Sequence, residues 1–187
     1  EALANLEHAV HLYPNFSDAW FELGRIRFAA KNDVTGAVKA FEAALRAKPD
    51  HLISIIALAQ ILANSVNPAD SSRADNLFRQ ATELDPTNAK LLLSYAEFSS
   101  KVMKIDARAD EYFEKAFDGA SVDAKPECLF QWAQAFLRKS QRTHSVEARS
   151  RALALLEKAT MLQQDIDKAQ AVPYMVELGK VSLIAGN

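Results

Sequence analysis

Apolar residues recur along this chain at helical spacing in short stretches that resemble one another. Each stretch has a small residue at its first and eighth positions and a large one at its fifth. Residues spaced in this way share one face of an α-helix. Three of the stretches are followed by a proline, and these prolines recur at intervals of 35 and 37 residues, at Pro14, Pro49 and Pro86. The stretches are Ala2–Leu6–Ala9, Ala37–Phe41–Ala44, Ala74–Phe78–Ala81, Ala109–Phe113–Ala116 and Ala152–Leu156–Ala159.

A second amphipathic pattern alternates with the first. It also predicts helices, so the repeating unit is a pair of antiparallel helices, A and then B. The Gly or Ala in each A pattern removes bulk where the two helix axes cross. The residues of the A pattern are Trp20, Leu23, Gly24 and Phe28; Ile55, Leu58, Ala59 and Leu62; Leu92, Tyr95, Ala96 and Phe98; Leu129, Trp132, Ala133 and Phe136; and Met175, Leu178, Gly179, Leu183 and Gly186.

The connections between helices carry their own signals. A proline just past a B helix cannot continue it and turns the chain. Asp50 and Asn88 follow two of these prolines, and either side chain can cap the next A helix. Residues 64–72, 119–125 and 139–146 are longer than the repeat requires, and we expect these insertions to lie in loops.

These residues resemble the tetratricopeptide repeat (TPR) family over essentially the whole chain. Residues 17–51 match best, through Trp20, Leu23, Gly24, Ala37, Phe41, Ala44 and Pro49, although Arg27 stands where the family usually has an aromatic residue. The resemblance implies an all-α fold, a right-handed superhelical solenoid of antiparallel helix pairs with about ten helices. Two related repeats are less well supported. Pentatricopeptide arrays bind RNA and would be expected to be basic, and Sel1-type repeats carry extra glycines in the turn.

The repeat also predicts the domain organisation, a single TPR-like array over 1–187. A terminal B helix (1–16) is followed by helix pairs at 17–51, 52–88, 89–123 and 124–168 and by a terminal A helix (169–187). Both ends fall inside a repeat, which predicts a fragment of a longer chain.

Composition restricts the partners and the chemistry. The formal charge is −2, from 22 basic and 24 acidic residues, so we expect no nucleic acid partner. There is no apolar run long enough for a membrane span, and the lone Cys128 excludes an internal disulfide. His8 and His11 lie one turn apart without a third ligand nearby, so we expect no metal and no cofactor. A basic cluster at Arg138, Lys139, Arg142, Arg149 and Arg151 is interpreted as a solvated loop and helix start rather than a phosphate site.

The resemblance places a partner in the concave groove lined by the A helices, where two positions per A helix point inward. The first position forms an apolar row of Phe21, Ile56, Leu93, Phe130 and Val176. The second forms a polar row of Arg25, Gln60, Glu97, Gln134 and Lys180. Alternating apolar and polar positions suit an extended or helical peptide. A residue of the apolar row can instead pack against the neighbouring A helix, and that alternative stays open.

One TPR subclass binds the C-terminal carboxylate of cytosolic heat-shock chaperones through a set of Lys, Asn and Arg residues. The matching positions here are Phe21, Arg25, Ala57, Lys90 and Ser94, of which only Lys90 agrees. The sequence therefore argues against a chaperone-tail partner.

The function expected from the sequence is a non-enzymatic scaffold that binds a protein or peptide segment in the concave groove. The alternative is a regulatory or substrate-docking arm of a multidomain enzyme whose catalytic domain lies outside these residues. Self-association through exposed array ends also stays open. We expect a cytoplasmic location, with nuclear or exported forms not excluded by the sequence.

Overall fold

The computed structural model describes residues 2–167 and 169–185, which form ten α-helices and no β-strand. The all-α fold predicted from the repeat is therefore confirmed. The chain divides into two compact units, Glu1–Pro86 and Thr87–Asn187. The expectation for Gly186 lies outside the described residues, as do the ends of the predicted ranges at 1, 168 and 187. The single array over 1–187 stays a prediction.

The first unit contains one B-type helix followed by two A–B pairs. Helix α1 packs against α2, α2 against α3, α3 against α4 and α4 against α5. Short connections make consecutive helices antiparallel. The helices are α1 (Ala2–Leu12), α2 (Ser17–Lys31), α3 (Val34–Ala47), α4 (Leu52–Ala63) and α5 (Pro68–Leu84).

The second unit contains two A–B pairs and a further A-type helix. Its helices are α6 (Ala89–Phe98), α7 (Asp106–Gly119), α8 (Lys125–Thr143), α9 (Val146–Ile166) and α10 (Val172–Ala185). Helix α6 continues into a π-helical turn over Ser99–Met103, and a short 3₁₀ turn at Val122–Ala124 precedes α8. Within this unit α6 also contacts α8, and α9 contacts α10.

The small–large–small stripes form the core of each pair, as the sequence predicts. In the stripes on α3, α5, α7 and α9 every member is at most 2% exposed. Burial of their aromatic and aliphatic side chains is the main stabilising contribution in a fold of this kind. Trp20 of α2 is half-buried, and its Nε1 donates a hydrogen bond to the carbonyl of Pro14, 2.9 Å away.

Gly24 and Gly179 occupy the same pattern position but have different surroundings. A Cβ on Gly24 would lie 2.7 Å from Cε1 and 2.9 Å from Cδ1 of Phe41, so α2 and α3 approach too closely for any side chain at this point. A Cβ on Gly179 would meet no atom within 4 Å. The predicted role at the helix crossing is therefore confirmed for Gly24. For Gly179 it stays a prediction, because no B-type helix follows α10 among the described residues.

The helix ends correct several expectations. Asn88 caps α6, with its Oδ1 accepting a hydrogen bond from the amide of Leu91 at 3.0 Å. Asp50 does not cap α4, because the N-cap position belongs to His51.

Two insertions that we expected in loops lie largely in helices instead. Helix α5 begins at Pro68, directly after the N-cap Asn67, so most of the expected loop over 64–72 is helical. Helix α8 runs to Thr143, and only His144, in left-handed conformation, and Ser145 separate it from α9. The insertions could become helical because a capping residue is present at the shifted helix start, Asn67 for α5 and Ser145 for α9.

The contrast between the two glycines yields a stability prediction. Gly24→Ala is expected to destabilise the fold, because overpacking costs about 1–3 kcal/mol and exceeds the gain of up to about 1 kcal/mol from replacing a helical glycine. Gly179→Ala has space for its methyl group and is expected to be neutral or slightly stabilising. Urea unfolding followed by circular dichroism measures both, and equal effects would contradict the crossing role of Gly24.

The two cap candidates form a second pair. Asn88→Ala should lower the free energy of unfolding by about 1 kcal/mol through loss of the cap on α6. Asp50→Ala removes no capping bond and should change it by less than about 0.5 kcal/mol. Chemical denaturation of both variants tests this, and an equal or larger loss for Asp50→Ala would contradict the absence of a capping bond from Asp50.

Candidate functional site

All ten residues of the apolar and polar rows lie on A-type helices. Four of them, Phe21, Arg25, Ile56 and Gln60, are on α2 and α4 of the first unit. The other six are on α6, α8 and α10 of the second unit. Residues four apart on a helix lie on the same face, so each helix presents one member of each row on one surface. Whether the rows form a peptide site stays a prediction.

Phe21 is partly exposed at the surface of the first unit and also packs against its interior. Its ring is half-buried, 5.7 Å from the ring of Phe41 and 6.1 Å from that of His51. His51 is buried, with Nδ1 2.7 Å from Ser54 Oγ and Nε2 3.0 Å from Asp18 Oδ1. Phe21 therefore forms the floor of this surface, held by α3 and the start of α4.

The sequence pattern gives no signal for the burial of His51. Its partner Asp18 is 33 residues away in the chain. Helical periodicity does not report a contact of this kind.

In the second unit the apolar row is also partly enclosed. Phe130 lies 5.0 Å from the ring of Tyr174 and packs against the cluster of Ala133, Leu156 and Val181. Leu93 packs against a cluster that includes Phe113. Val176 is different, since it is 52% exposed. The alternative left open by the sequence, packing against a neighbouring A helix, describes Phe130 well.

Tyr174 covers Phe130 and is itself held by α8. Its hydroxyl donates a hydrogen bond to Glu127 Oε2 at 3.2 Å. Burial raises the pKa of Tyr174 to about 12, with further contributions from the negative charge of Glu127 and from this hydrogen bond.

The polar row is more accessible than the apolar row. Arg25 is exposed and makes a 2.6 Å ion pair with Glu22, whose hydrogen bond raises the pKa of Arg25. Lys180 is exposed and lies 3.4 Å from Glu177. Glu97 and Gln134 are half-buried. The polar row therefore presents hydrated, paired charges at Arg25 and Lys180 and less hydrated polar groups at Glu97 and Gln134.

The basic cluster is mostly neutralised by carboxylates. Arg142 makes a 2.7 Å ion pair with Asp106, and Lys139 lies 4.0 Å from the same carboxylate. Arg151 pairs with Glu147 at 3.0 Å. These residues lie on α8 and α9 rather than in a loop, which corrects the interpretation of this segment as largely solvated loop. Arg138 differs because two of its nitrogens are buried without a hydrogen-bond partner among the described residues, and no sequence signal separates it from its neighbours.

Other candidate chemistry is weak. Burial raises the pKa of the Cys128 thiol, which opposes formation of the reactive thiolate. His8 and His11 are exposed, and within the described residues no group of three His, Cys, Asp or Glu side chains could hold a metal ion. The helices described also include none with the length and apolar character needed to cross a bilayer.

A cleft of 370 Å³ lies between α1 and α2 in the first unit. Two of its polar groups pair with each other, since Arg27 Nη2 lies 3.0 Å from Glu7 Oε1. The residues around it are Glu7, Val10, His11, Pro14, Trp20, Leu23 and Arg27. Arg27, which departs from the family pattern, therefore joins α2 to α1 where an aromatic residue would pack.

The helix pairs, their small–large–small core and the packing order define a TPR protein. A family model, the cytochrome c-type biogenesis protein H TPR domain, matches residues 4–118, more than half of the chain. The chain belongs to this family. No curated protein shows significant similarity to it.

Solved structures support the fold. PilW, a widely conserved type IV pilus biogenesis factor, has a TM-score of 0.71 at 20% identity over 91% of this chain and 70% of its own. YrrB, a TPR protein with an unusual peptide-binding site, has a TM-score of 0.68 at 20% identity, covering 91% and 79%. TTC0263, a thermophilic TPR protein in Thermus thermophilus, has a TM-score of 0.68 at 17% identity, covering 97% and 89%. At these identities the likeness establishes the fold alone.

The environment of Tyr174 predicts a pH dependence. A phenol whose pKa is higher in the folded than in the unfolded state favours folding fully below its unfolded pKa, about 10. The free energy of unfolding should therefore fall by this contribution as the pH rises from about 10 to about 12. Tyr174→Phe should flatten this part of the stability–pH curve, measured by urea unfolding. Tyr13→Phe, at an exposed tyrosine, is the matched control, and an equal effect of both would contradict the assignment.

Proposed function

We propose that this chain is a protein–protein interaction module, and that within each of its two units a peptide segment is held against the apolar and polar rows of the A-type helices. The observation that carries the proposal is that each A-type helix places an apolar side chain and a polar one four residues apart on one face, with the polar one the more exposed on α2 and α4. A partner that lies along such a surface can bury its apolar side chains on a rigid floor and hydrogen-bond at regular intervals. YrrB offers a precedent for peptide binding on this fold.

The two rows have different roles in this proposal. Phe21 and Phe130 pack within the protein, so they shape the floor and restrict how deeply a partner inserts. The polar row supplies orientation and selectivity, because charged groups at the rim of an interface mainly affect association and specificity. Each unit presents both signs of charge at its polar row, since Arg25 lies beside Glu22 and Lys180 beside Glu177. This favours a partner of mixed charge rather than a uniformly charged polymer.

The family name suggests a process in which this module acts. We propose the biogenesis of c-type cytochromes as that context, with a polypeptide handled there as the partner. The support is the family match over residues 4–118. Overlapping peptides from a haem-free c-type cytochrome are therefore the natural first ligands to assay.

The groove assignment is best tested at the polar row, because replacing Phe21 or Phe130 would also disturb packing. Peptides selected from a displayed random library, together with the cytochrome peptides, supply the ligands. Arg25→Glu should weaken binding by about tenfold, roughly 1.4 kcal/mol, through charge reversal in the groove. The measurement is isothermal titration calorimetry, with circular dichroism as the check on folding.

Arg46→Glu is the matched control. It makes the same charge change on the B-type helix α3, at an exposed position. Equal losses of affinity in both variants would indicate a non-specific charge effect, and unchanged binding by Arg25→Glu would contradict the groove assignment in the first unit.

A further inference from the structure

Arg138 extends the surface of α8 by one turn beyond the polar row. It follows Gln134 by four residues and Phe130 by eight, so all three lie along one face of the helix. Its side chain is half-buried. Nε and Nη2 are enclosed, and neither has a hydrogen-bond partner among the described residues. Leaving donors of a charged group unpaired in such a place is unfavourable, because the group has lost its hydration without gaining a partner.

The two unpaired nitrogens are the matching edge of the guanidinium group. Nε–H and one N–H of Nη2 point in parallel along the same side of the planar fork. This edge fits the two oxygens of one carboxylate, which is the geometry that distinguishes Arg from Lys in carboxylate recognition. A single phosphate would fit the edge too, but the neighbourhood offers no second unpaired cation from α8, since Lys139 and Arg142 are engaged by Asp106.

The charges that face Arg138 come from two helices. Glu97, on α6, acts on Arg138 electrostatically and raises its pKa, while burial, the larger effect, and Arg142 lower it. Glu97 is close enough for this effect, yet neither Nε nor Nη2 of Arg138 donates a hydrogen bond to it. Glu97 is on α6 and Arg138 on α8, and these two helices contact each other.

We propose that Arg138 binds the side-chain carboxylate of an Asp or Glu within the peptide partner, with Gln134 and Phe130 contacting the residues that precede it. This rests on the proposed function and names the partner chemistry for the second unit. Because Nε and Nη2 are covered in the free protein, the Arg138 side chain must turn toward the surface to meet the carboxylate, which then supplies the hydrogen bonds that these nitrogens lack. A peptide C-terminus would offer the same two oxygens, and amidation of the peptide in the test distinguishes the two sources. Glu97 acts as the internal competitor that screens Arg138 when no partner is bound.

The test uses an Asp- or Glu-containing peptide from the library selection and the same peptide with that residue replaced by Asn or Gln. Arg138→Gln should weaken binding of the acidic peptide by about 10- to 100-fold and leave the neutral peptide unchanged. Glu97→Gln should strengthen binding of the acidic peptide several-fold. Arg151→Gln, with the same loss of charge on α9, should have no effect. Amidation of the peptide C-terminus should also have none.

A direct readout follows the side chain itself. In a nitrogen-15 NMR spectrum of the arginine Nε–H groups, the Arg138 signal should shift and exchange more slowly with water when the acidic peptide binds. Equal affinity of wild type and Arg138→Gln, or an effect of C-terminal amidation in place of the acidic side chain, would overturn the proposal. Failure of the library to yield any binding peptide would instead count against the proposed function, so the two outcomes are distinguishable.

Discussion

The structure depends on the close approach of paired helices. At Gly24 the ring of Phe41 occupies the space that a Cβ would need, and the stripe alanines of α3, α5, α7 and α9 are at most 1% exposed. Close-packed interiors tolerate little change in volume. The small residues therefore set the distance between axes, the single large residue fills what remains, and the opposite faces of the A-type helices are held at defined positions.

That constraint explains why the candidate surface is made of residues with two roles. Phe130 contacts Tyr174, and Tyr174 is fixed by Glu127 three residues before Phe130 on α8. A partner that pressed on Phe130 would also press on the contact between α8 and α10. Preorganisation of this kind reduces the ordering cost of binding, and it leaves discrimination between partners to the polar side chains.

The helix pairs and their buried stripes could be predicted from the sequence because burial in a repeat follows a fixed period. The cap at Asn88 could be predicted because an Asn follows a proline just before a helix. The failure of Asp50 to cap could not be predicted, because a cap also depends on which residue has the right backbone angles. The contacts of His51 with Asp18 and of Arg142 with Asp106 join residues 33 and 36 apart, and no periodic pattern pairs them. The unpaired state of Arg138 is harder still, because it depends on the positions of all neighbouring carboxylates.

The π-helical turn at Ser99–Met103 has a consequence for reading this surface. Such a turn inserts one residue into the helical repeat, which rotates every later side chain by about 100° relative to a regular helix. On α6 the regular phase thus ends just after Glu97, whereas α8 keeps it through Arg138 and on to Thr143. Lys101 lies inside this turn, so an alignment to a regular helix would not place it correctly relative to Glu97. The regular face that carries Glu97 on α6 is therefore shorter than the corresponding face of α8, which extends to the cation Arg138.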